Sequence, residues 1–254
     1  MKSPLDDLLG YLSELPKTAL AFSGGTDSNF LLWACREAGT DVKPIFVRGD
    51  FQTEEESLHA INAASHLGKD LNIVDVDTLS FEDVIDNTPD RCYLCKRRVF
   101  TLIKGISAAE GYGCVIDATN ASDDPSARPG MRALRELGII SPLRECGLTK
   151  PIIRELSKEA GLDNWNTPSN SCLATRIPTG TRITAESLHK VEITEGKLRS
   201  FGLTDFRVRS LGDKARLEIV PAEQKFLQDN RSSIEDIILE EYNSIEYGSR
   251  KPGL

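Results

Sequence analysis

The sequence predicts an α/β fold, in which a doubly wound parallel sheet is followed by a smaller α+β domain. Short apolar runs alternate with helix-like stretches through most of the chain, which is typical of parallel strands buried between helices. The chain has 254 residues, of which 39% are hydrophobic and 28% charged. This length and composition allow one sizeable hydrophobic core and a second, smaller one.

The predicted strands are short apolar runs, because strands buried on both faces carry few polar residues. They lie at 18–22, 42–47, 71–76, 114–118 and 139–143. Helical spacing of apolar residues predicts a helix from Phe30 to Ala34 and others at 53–67, 95–110, 130–138 and 149–160. The last of these opens with Thr149 as a capping hydroxyl and stops at Gly161.

The sequence pattern changes after Pro178-Thr179-Gly180. Residues 184–201 have the spacing of a long amphipathic helix, and 205–220 contain two alternating runs separated by Gly212 and Asp213, as in a β-hairpin. We therefore predict two domains, 1–177 and 178–254, the second for substrate binding or oligomerisation.

The balance of charge excludes some partners. The chain has 31 basic and 39 acidic residues, a net charge of −8, so its average surface repels nucleic acid and favours a small-molecule substrate. No apolar run reaches the roughly 18 residues of a membrane helix, and Asp6, Asp7 and Glu14 stand where a signal peptide is apolar. We therefore expect a cytoplasmic protein with no membrane partner.

The stretch between the first predicted strand and helix has the features of an anion site. It consists of Ser23, Gly24, Gly25, Thr26, Asp27 and Ser28. Glycines let the backbone approach a ligand closely, and the N–H groups and partial positive charge at the start of a helix attract phosphate. The lysine of a Walker A loop and the third glycine of a dinucleotide-binding loop are both missing. An ordinary serine-capped helix is the alternative interpretation.

Cys92 and Cys95 form a Cys-x-x-Cys motif, which we place in a loop that leads into a helix. Three cations follow it, Lys96, Arg97 and Arg98, and they suit a site of thiolate ligands. Two packed thiols are the alternative interpretation. A zinc site is disfavoured because no second Cys-x-x-Cys and no histidine pair accompany the motif.

Cys172 is the third candidate ligand. It follows a run of turn-forming residues at 166–171, which predicts a loop. Near Arg176, this thiol is a candidate nucleophile or metal ligand. Three thiolates can hold a 4Fe-4S cluster and leave one iron open to an outside ligand.

The other three of the six cysteines carry less information. A chain without an export signal is expected to keep its cysteines as thiols or metal ligands rather than as disulfides. Cys35 and Cys114 fall in apolar elements and are interpreted as packing residues. Cys146 stays open, with a structural role favoured.

Several motifs together resemble one known family. Ser-Gly-Gly-x-Asp-Ser at 23–28 resembles the pyrophosphate loop (PP-loop) of the ATP pyrophosphatase superfamily, whose enzymes split ATP between its α and β phosphates. Most of the chain resembles the LarE family, the ATP-dependent sulfur transferases of nickel-pincer nucleotide cofactor biosynthesis. The stretches that carry this resemblance are "SGGTDS", "DRCYLCKRRVF", "DATNASDD", "RPGMRALRELGIISPL", "GLTKPIIRELSKEAGL" and "CLATRIPTGTRIT".

The resemblance implies an activity and a set of site residues. The substrate would be pyridinium-3,5-biscarboxylic acid mononucleotide, one carboxylate of which is adenylated and then converted to a thiocarboxylate. ATP would bind at the 23–28 loop with Mg²⁺, with Asp27 as the candidate contact to metal or water. Arg176, Arg207 and Arg209 would hold the substrate phosphate and carboxylates, as the guanidinium fork allows. By their position alone, Arg207 and Arg209 also fit the polar face of a strand. The family further implies a homo-oligomer.

The resemblance also distinguishes two ways of delivering sulfur. Some members of the family sacrifice the cysteine that corresponds to Cys172 and keep dehydroalanine in its place. Others carry three cysteines and a 4Fe-4S cluster, with sulfide or a sulfur donor as the source of sulfur. Cys92, Cys95 and Cys172 match the second kind, so we predict a cluster. Thr26 and Thr175 depart from the family's more common Val and Ser without removing a charge or a thiol.

Two functions of other kinds stay open. A tRNA thiolase of the PP-loop class would have a similar loop and cluster, but the net charge of −8 disfavours a tRNA-binding surface. A protein that senses ATP through a bound cluster, without turnover, would bind ATP and form no AMP.

Overall fold

The computed structural model describes residues 3–124, 129–167 and 171–250. The chain divides into two compact units. The first unit contains Met1–Gly49, Glu54–Val76 and Asp90–Thr167, and the second contains Asp50–Thr53, Asp77–Pro89 and Pro168–Leu254. The second unit thus takes in two short segments from the N-terminal half of the chain. The division into functional domains at 177/178 stays a prediction.

The strands form two separate sheets. They are β1 Thr18–Ala21, β2 Val42–Gly49, β3 Asn72–Val76, β4 Cys114–Ile116, β5 Phe206–Leu211, β6 Lys214–Ile219 and β7 Ser244–Ser249. The first sheet has the order β3-β2-β1-β4 with all neighbours parallel. The second has the order β5-β6-β7, with β5 and β6 antiparallel and β6 and β7 parallel.

Helices pack against both sheets. They are α1 Pro4–Ser13, α2 Thr26–Glu37, α3 Glu54–His66, α4 Glu82–Ile85, α5 Arg91–Ala109, α6 Gly130–Glu136, α7 Pro142–Glu145, α8 Lys150–Glu159, α9 Ala185–Phe201, α10 Gln224–Asp229 and α11 Arg231–Leu239. Among the described residues, we find no helix whose length and apolar character would suffice to cross a membrane.

Apolar side chains cover the first sheet on both of its faces. Leu20 of β1 packs in one core with Phe30 of α2, whereas its neighbour Ala19 packs in another with Phe100 and Ile103 of α5. Successive residues of a strand point to opposite faces, so a strand buried on both sides reads as a continuous apolar run. The predicted fold class, a doubly wound parallel sheet with a smaller second sheet, is confirmed.

The second unit is built around its own apolar core. Leu198 of α9, Val208 of β5 and Leu217 of β6 are fully buried together with Ile234 and Ile238 of α11. The predicted helix at 184–201 and the predicted hairpin at 205–220 are confirmed. The strand β7 and the helices α10 and α11 were not predicted.

Two local predictions are wrong. Residues 139–143 form no regular strand, because only Ile140 pairs, in an isolated bridge to Ile116, and Pro142 begins the short helix α7. Proline lacks the N–H that a sheet requires. The Cys-x-x-Cys motif does not precede its helix, since α5 begins at Arg91 and contains both cysteines.

The start of α8 differs in detail from the expectation. Thr149 occupies the N-cap position, but its side chain makes no capping hydrogen bond. Instead, the backbone N–H of Lys150 donates to the hydroxyl of Ser122 over 3.0 Å. A hydroxyl from a distant loop therefore satisfies an N–H at the beginning of this helix.

Candidate functional site

The backbone of the 23–28 loop requires glycine at its second position. Gly24 has φ +75°, in the left-handed region, and a Cβ placed there would lie 2.6 Å from Cα of Ala60 in α3. That atom belongs to a helix backbone and cannot move aside as a flexible side chain could. The loop therefore passes close to α3, which only a residue without a side chain permits.

Ser28 stabilises the turn between β1 and α2. Its Oγ accepts a hydrogen bond from the N–H of Ser23 over 3.3 Å, lies 3.1 Å from the hydroxyl oxygen of Ser23, and is 3.1 Å from the carbonyl of Gly25. Gly25 is the N-cap residue of α2, and no side chain caps this helix by a hydrogen bond. The first N–H groups of α2 are thus arranged as in sites that bind anions.

Asn164 forms hydrogen bonds with the 23–28 loop and with the first turn of α2. It accepts hydrogen bonds from Thr26 (2.8 Å, to its carbonyl) and Asn29 (2.9 Å, to its side chain), and its amide donates to the carbonyl of Gly24 over 3.0 Å. This residue was not predicted from the sequence. No motif marks it, because its partners lie more than 130 positions away in the chain.

Asp27 lies in an ion pair at the start of α2. Its Oδ1 is 2.7 Å from Nζ of Lys150, and its Oδ2 accepts a hydrogen bond from the amide of Asn120 over 3.2 Å. The Asp27 and Lys150 side chains are 22% and 25% exposed, so solvent reaches both. Lys150 and Asn120 lie within stretches that carry the family resemblance, but no role in the site was predicted for either of them.

The loop after β4 holds Asn120 in place. The carboxylate of Asp123 accepts from the backbone N–H of Asn120 over 3.0 Å. Asp117 accepts from the hydroxyls of Thr119 (2.5 Å) and Ser141 (2.6 Å). Since β1 and β4 are parallel neighbours, the segments that follow them meet at one edge of the sheet, and the amide reaches Asp27 from there.

Cys92 and Cys95 lie one turn apart in the first turns of α5, about 4.5 Å along the helix axis. Both are partly exposed. The guanidinium of Arg91 approaches the sulfur of Cys92 to 3.7 Å. Two neighbouring thiols at the beginning of a helix, with a cation beside one of them, suit the donor set of an iron–sulfur cluster.

Tyr93, between the two cysteines, ties this turn to α6. Its ring stacks on the guanidinium of Arg132 at 3.6 Å, and its hydroxyl donates to Glu136 over 2.7 Å. A cation on an aromatic face together with a charge-assisted hydrogen bond fixes the ring at both ends. The Cys-x-x-Cys turn is therefore held against a second helix.

Cys172 belongs to the second unit, whereas Cys92 and Cys95 belong to the first. It is half-buried at the N-cap of a 3₁₀ helix, Leu173–Arg176, and its carbonyl accepts from the N–H and the hydroxyl of Thr175 at 2.9 and 2.8 Å. Of the loop predicted at 166–171, residues 168–170 lie outside the described residues. In the described part of the chain, no group of three or more His, Cys, Asp or Glu side chains is arranged to hold a metal ion.

The other cysteines behave as packing residues. Cys35 is fully buried, and burial raises the pKa of its thiol to about 12. Burial also raises the pKa of Cys114 and of Cys146, the latter with a further contribution from the charge of Glu145. Thiols with raised pKa values carry little thiolate at neutral pH, which makes them poor nucleophiles.

Arg176 is buried in an ion pair within the second unit. Its side chain is 1% exposed, and Nε and Nη2 donate to the two carboxylate oxygens of Glu195 over 2.9 and 3.0 Å. Nη1 donates to the hydroxyl of Ser171 over 2.8 Å. These contacts hold the turn that contains Cys172 against α9. A role as a substrate ligand stays a prediction for this residue.

Arg207 and Arg209 lie two residues apart on β5, on the face opposite the core residue Val208. Arg207 is 7% exposed, and burial lowers its pKa to about 10, with further lowering by the charges of Arg176 and Arg250. Arg209 is 37% exposed and donates to Glu218 over 2.9 Å. Several guanidinium groups are thus concentrated around the start of β5, and carboxylates pair with three of them, in the pairs Arg176–Glu195, Arg209–Glu218 and Arg250–Asp205.

Comparisons with known proteins agree with these motifs. No family model matches the chain. The pyridinium-3,5-bisthiocarboxylic acid mononucleotide synthase of Lactiplantibacillus plantarum is 34% identical over 217 residues, 85% of this chain and 79% of that protein. An uncharacterized protein of Synechocystis sp. is 33% identical over 231 residues, 90% of this chain and 86% of its own.

A more distant relative bears on the fold and the class of enzyme. A tRNA-specific 2-thiouridylase of Clostridium botulinum is 27% identical over 180 residues, 58% of this chain and 51% of that protein. Both named relatives are sulfur-transferring enzymes, which confirms the prediction of a sulfurtransferase and disfavours a sensor without turnover. Because the chain is 34% identical to the synthase over 85% of its length, it belongs to the LarE family of PP-loop sulfur transferases.

Proposed function

We propose that this enzyme uses ATP and Mg²⁺ to adenylate a carboxylate of pyridinium-3,5-biscarboxylic acid mononucleotide and then replaces AMP with sulfur. AMP, pyrophosphate and a thiocarboxylate are the products. The observation that carries the proposal is the 23–28 loop with Asp27 at the start of α2, in a chain 34% identical to a synthase of the corresponding bisthiocarboxylic acid.

The 23–28 loop would bind the pyrophosphate portion of ATP. The first N–H groups of α2 and the helix dipole favour a negative ligand. Ser28 and Asn164 keep this backbone in one conformation before ATP arrives. A loop that is ordered in advance loses less conformational entropy on binding.

Asp27 would hold the Mg²⁺ ion. Its carboxylate already lies against a cation, the ammonium of Lys150, and carboxylate oxygens are the ligands that Mg²⁺ prefers. When bound, the ion neutralises phosphate charge and so assists attack by the substrate carboxylate on the α-phosphorus. The loss of pyrophosphate leaves an acyl adenylate, which a sulfur nucleophile can attack.

Arg207 and Arg209 would hold the phosphate of the substrate. An anion beside Arg207 would offset the repulsion that Arg176 and Arg250 exert on this guanidinium. Arg176 would act through its ion pair with Glu195, which positions the turn at Cys172. The predicted homo-oligomer and the cytoplasmic location stay predictions.

Sulfur would be delivered with the help of Cys92, Cys95 and Cys172. These are the thiolates that would hold a 4Fe-4S cluster, and the two in α5 fit a cluster by their spacing and exposure. When bound, such a cluster supplies an iron that is open to sulfide. In its absence, the thiolate of Cys172 would displace AMP itself and lose its sulfur.

The first test is the reaction itself. Anaerobically purified protein is incubated with the biscarboxylate mononucleotide, ATP, Mg²⁺ and sulfide, and the products are separated by liquid chromatography and mass spectrometry. We expect AMP, pyrophosphate and an exchange of oxygen for sulfur in the substrate. Formation of ADP and phosphate would overturn the assignment of the loop.

The second test separates the two modes of sulfur delivery. With a cluster, Cys92→Ala and Cys95→Ala abolish transfer as Cys172→Ala does, and the mass of the polypeptide is unchanged after repeated turnover. With a sacrificial cysteine, Cys92→Ala and Cys95→Ala keep activity, and peptide mass spectrometry finds dehydroalanine at position 172. Cys35→Ala is the matched control, since this thiol is buried away from solvent.

The distant 2-thiouridylase relative makes tRNA the alternative substrate. Binding of tRNA that weakens steeply with salt, together with thiolation of a tRNA base, would favour it. We expect neither, because the chain has a net charge of −8.

A further inference from the structure

We propose that Lys150 exchanges partners during the reaction, neutralising Asp27 in the nucleotide-free enzyme and contacting the ATP phosphates once a divalent cation takes its place. The inference rests on the proposed function, since it requires phosphates at the 23–28 loop. It adds a substrate-contacting residue that no motif in the sequence marks.

The geometry around Asp27 supports an exchange rather than a permanent pair. Nζ of Lys150 is 2.7 Å from Oδ1, and the amide of Asn120 is 3.2 Å from Oδ2. The ammonium thus occupies one carboxylate oxygen, while a neutral donor holds the other. A quarter of the Lys150 side chain is exposed, so the side chain is not enclosed on all sides by the protein.

The backbone of Lys150 is fixed while its side chain can rotate. Its N–H donates to Ser122 over 3.0 Å, and Pro151 follows in the first turn of α8. A lysine side chain has four flexible methylenes and a compact charge. The ammonium can therefore move near the start of α2 while the backbone of Lys150 stays in place.

The charges explain why the exchange would occur. An ammonium and a divalent cation on one carboxylate repel each other, because like charges at contact distance are strongly unfavourable in a partly buried site. A metal ion that binds Asp27 therefore displaces Lys150. The nearest new anion is then the phosphate chain on the 23–28 loop, where a lysine ammonium is a common ligand.

The test measures metal and pyrophosphate binding separately in the full-length protein. Mn²⁺ replaces Mg²⁺, and free Mn²⁺ is counted by electron paramagnetic resonance. Inorganic pyrophosphate binding is measured by calorimetry at saturating Mn²⁺. Lys150→Met is compared with wild type, with Lys150→Arg, and with Lys158→Met, a control at the exposed end of the same helix. Circular dichroism melts show that each variant is folded.

Lys150→Met should change the two affinities in opposite directions. Without nucleotide, Mn²⁺ should bind about 10-fold more tightly, because the competing ammonium is gone, whereas pyrophosphate should bind about 10-fold more weakly. Lys150→Arg should keep most of the pyrophosphate affinity, and Lys158→Met should change neither value.

Three outcomes overturn the proposal. A parallel loss of both affinities in Lys150→Met would mean that the residue only supports the loop, and no change in either would mean that it is a bystander. If wild type binds neither Mn²⁺ nor pyrophosphate, the proposed function fails as well. In the first two cases wild type still binds both ligands, so the proposed function stands while the exchange is refuted.

Discussion

Glu195→Gln tests whether the buried ion pair in the second unit carries much of its stability. Arg176 and Glu195 are 1% and 4% exposed, and two hydrogen bonds join them. In the wild type, the N–H of Val208 donates to a carboxylate oxygen of Glu195 over 2.9 Å. The substitution keeps the volume of the side chain and an oxygen that can accept this hydrogen bond. What it removes is the negative charge.

The magnitude follows from burial. Loss of one partner of a buried ion pair costs about 3–5 kcal/mol, since the remaining charge is left without compensation. Arg207 increases this cost, because burial and then the charge of Arg176 lower its pKa, and the substitution removes the charge of Glu195 that partly offsets them. We expect a loss of about 4 kcal/mol in the free energy of unfolding of the second unit.

Urea denaturation followed by circular dichroism measures this loss. Both tryptophans, Trp33 and Trp165, lie in the first unit, so their fluorescence reports that unit separately. The control is Glu218→Gln, whose partner Arg209 is 37% exposed, and which should cost up to about 1 kcal/mol. Equal losses in the two variants would refute the reasoning, because solvent or another carboxylate would then be compensating Arg176.

Three further predictions follow from single sites. Gly24→Ala should abolish ATP turnover. It should also lower the free energy of unfolding, measured by urea denaturation, by at least about 1–2 kcal/mol because of the left-handed backbone alone. Unchanged turnover would show that the loop can shift away from α3. Arg207→Met should change the ligand-free melting temperature little, because burial and repulsion by Arg176 and Arg250 offset the attraction of Glu195 and Asp205 for this charge. It should eliminate the stabilisation by inorganic phosphate that we expect in a thermal melt of wild type, and a phosphate effect that persists in the variant would place the anion elsewhere. The pKa of Cys35 rises from 9.0 to about 12 on folding, so the folded chain keeps this proton to a higher pH than the unfolded chain, and the free energy of unfolding falls as the pH rises between these values. Cys35→Ala should reduce the slope of the unfolding free energy against pH in this range by about 1.4 kcal/mol per pH unit. An unchanged slope of the unfolding transition followed by tryptophan fluorescence would contradict this prediction.

The sequence predicted the parts of the fold that depend on apolar pattern. The four strands of the first sheet each coincide with a predicted apolar run, and α9 coincides with a predicted amphipathic helix. The strand β7 was missed because its residues are partly or fully exposed and include few apolar ones, Ile245 and Tyr247 among them. The prediction at 139–143 failed for the opposite reason, since an apolar run there contains Pro142 and turns into a helix.

The site was predicted where its residues are neighbours in the chain. The 23–28 loop and the Cys-x-x-Cys motif each occupy one short segment, so spacing alone identifies them. The pair of Asp27 and Lys150 spans 123 positions, and only the folded sheet brings them together. Asn120 could have been inferred, because it follows β4, and parallel strands bring the segments at their carboxyl ends to one edge.

In both units, a cation of a proposed anion site is paired with a carboxylate. In the first unit Lys150 lies against Asp27, and in the second Arg209 lies against Glu218. Burial imposes a free-energy cost on the charged form of a basic side chain, and it lowers the pKa of Arg207. A carboxylate partner removes that cost, but it also competes with the ligand for the same cation. Asp27 would also hold Mg²⁺, so the competition is isolated at Arg209, where removal of the Glu218 carboxylate should strengthen phosphate binding even if it weakens the fold.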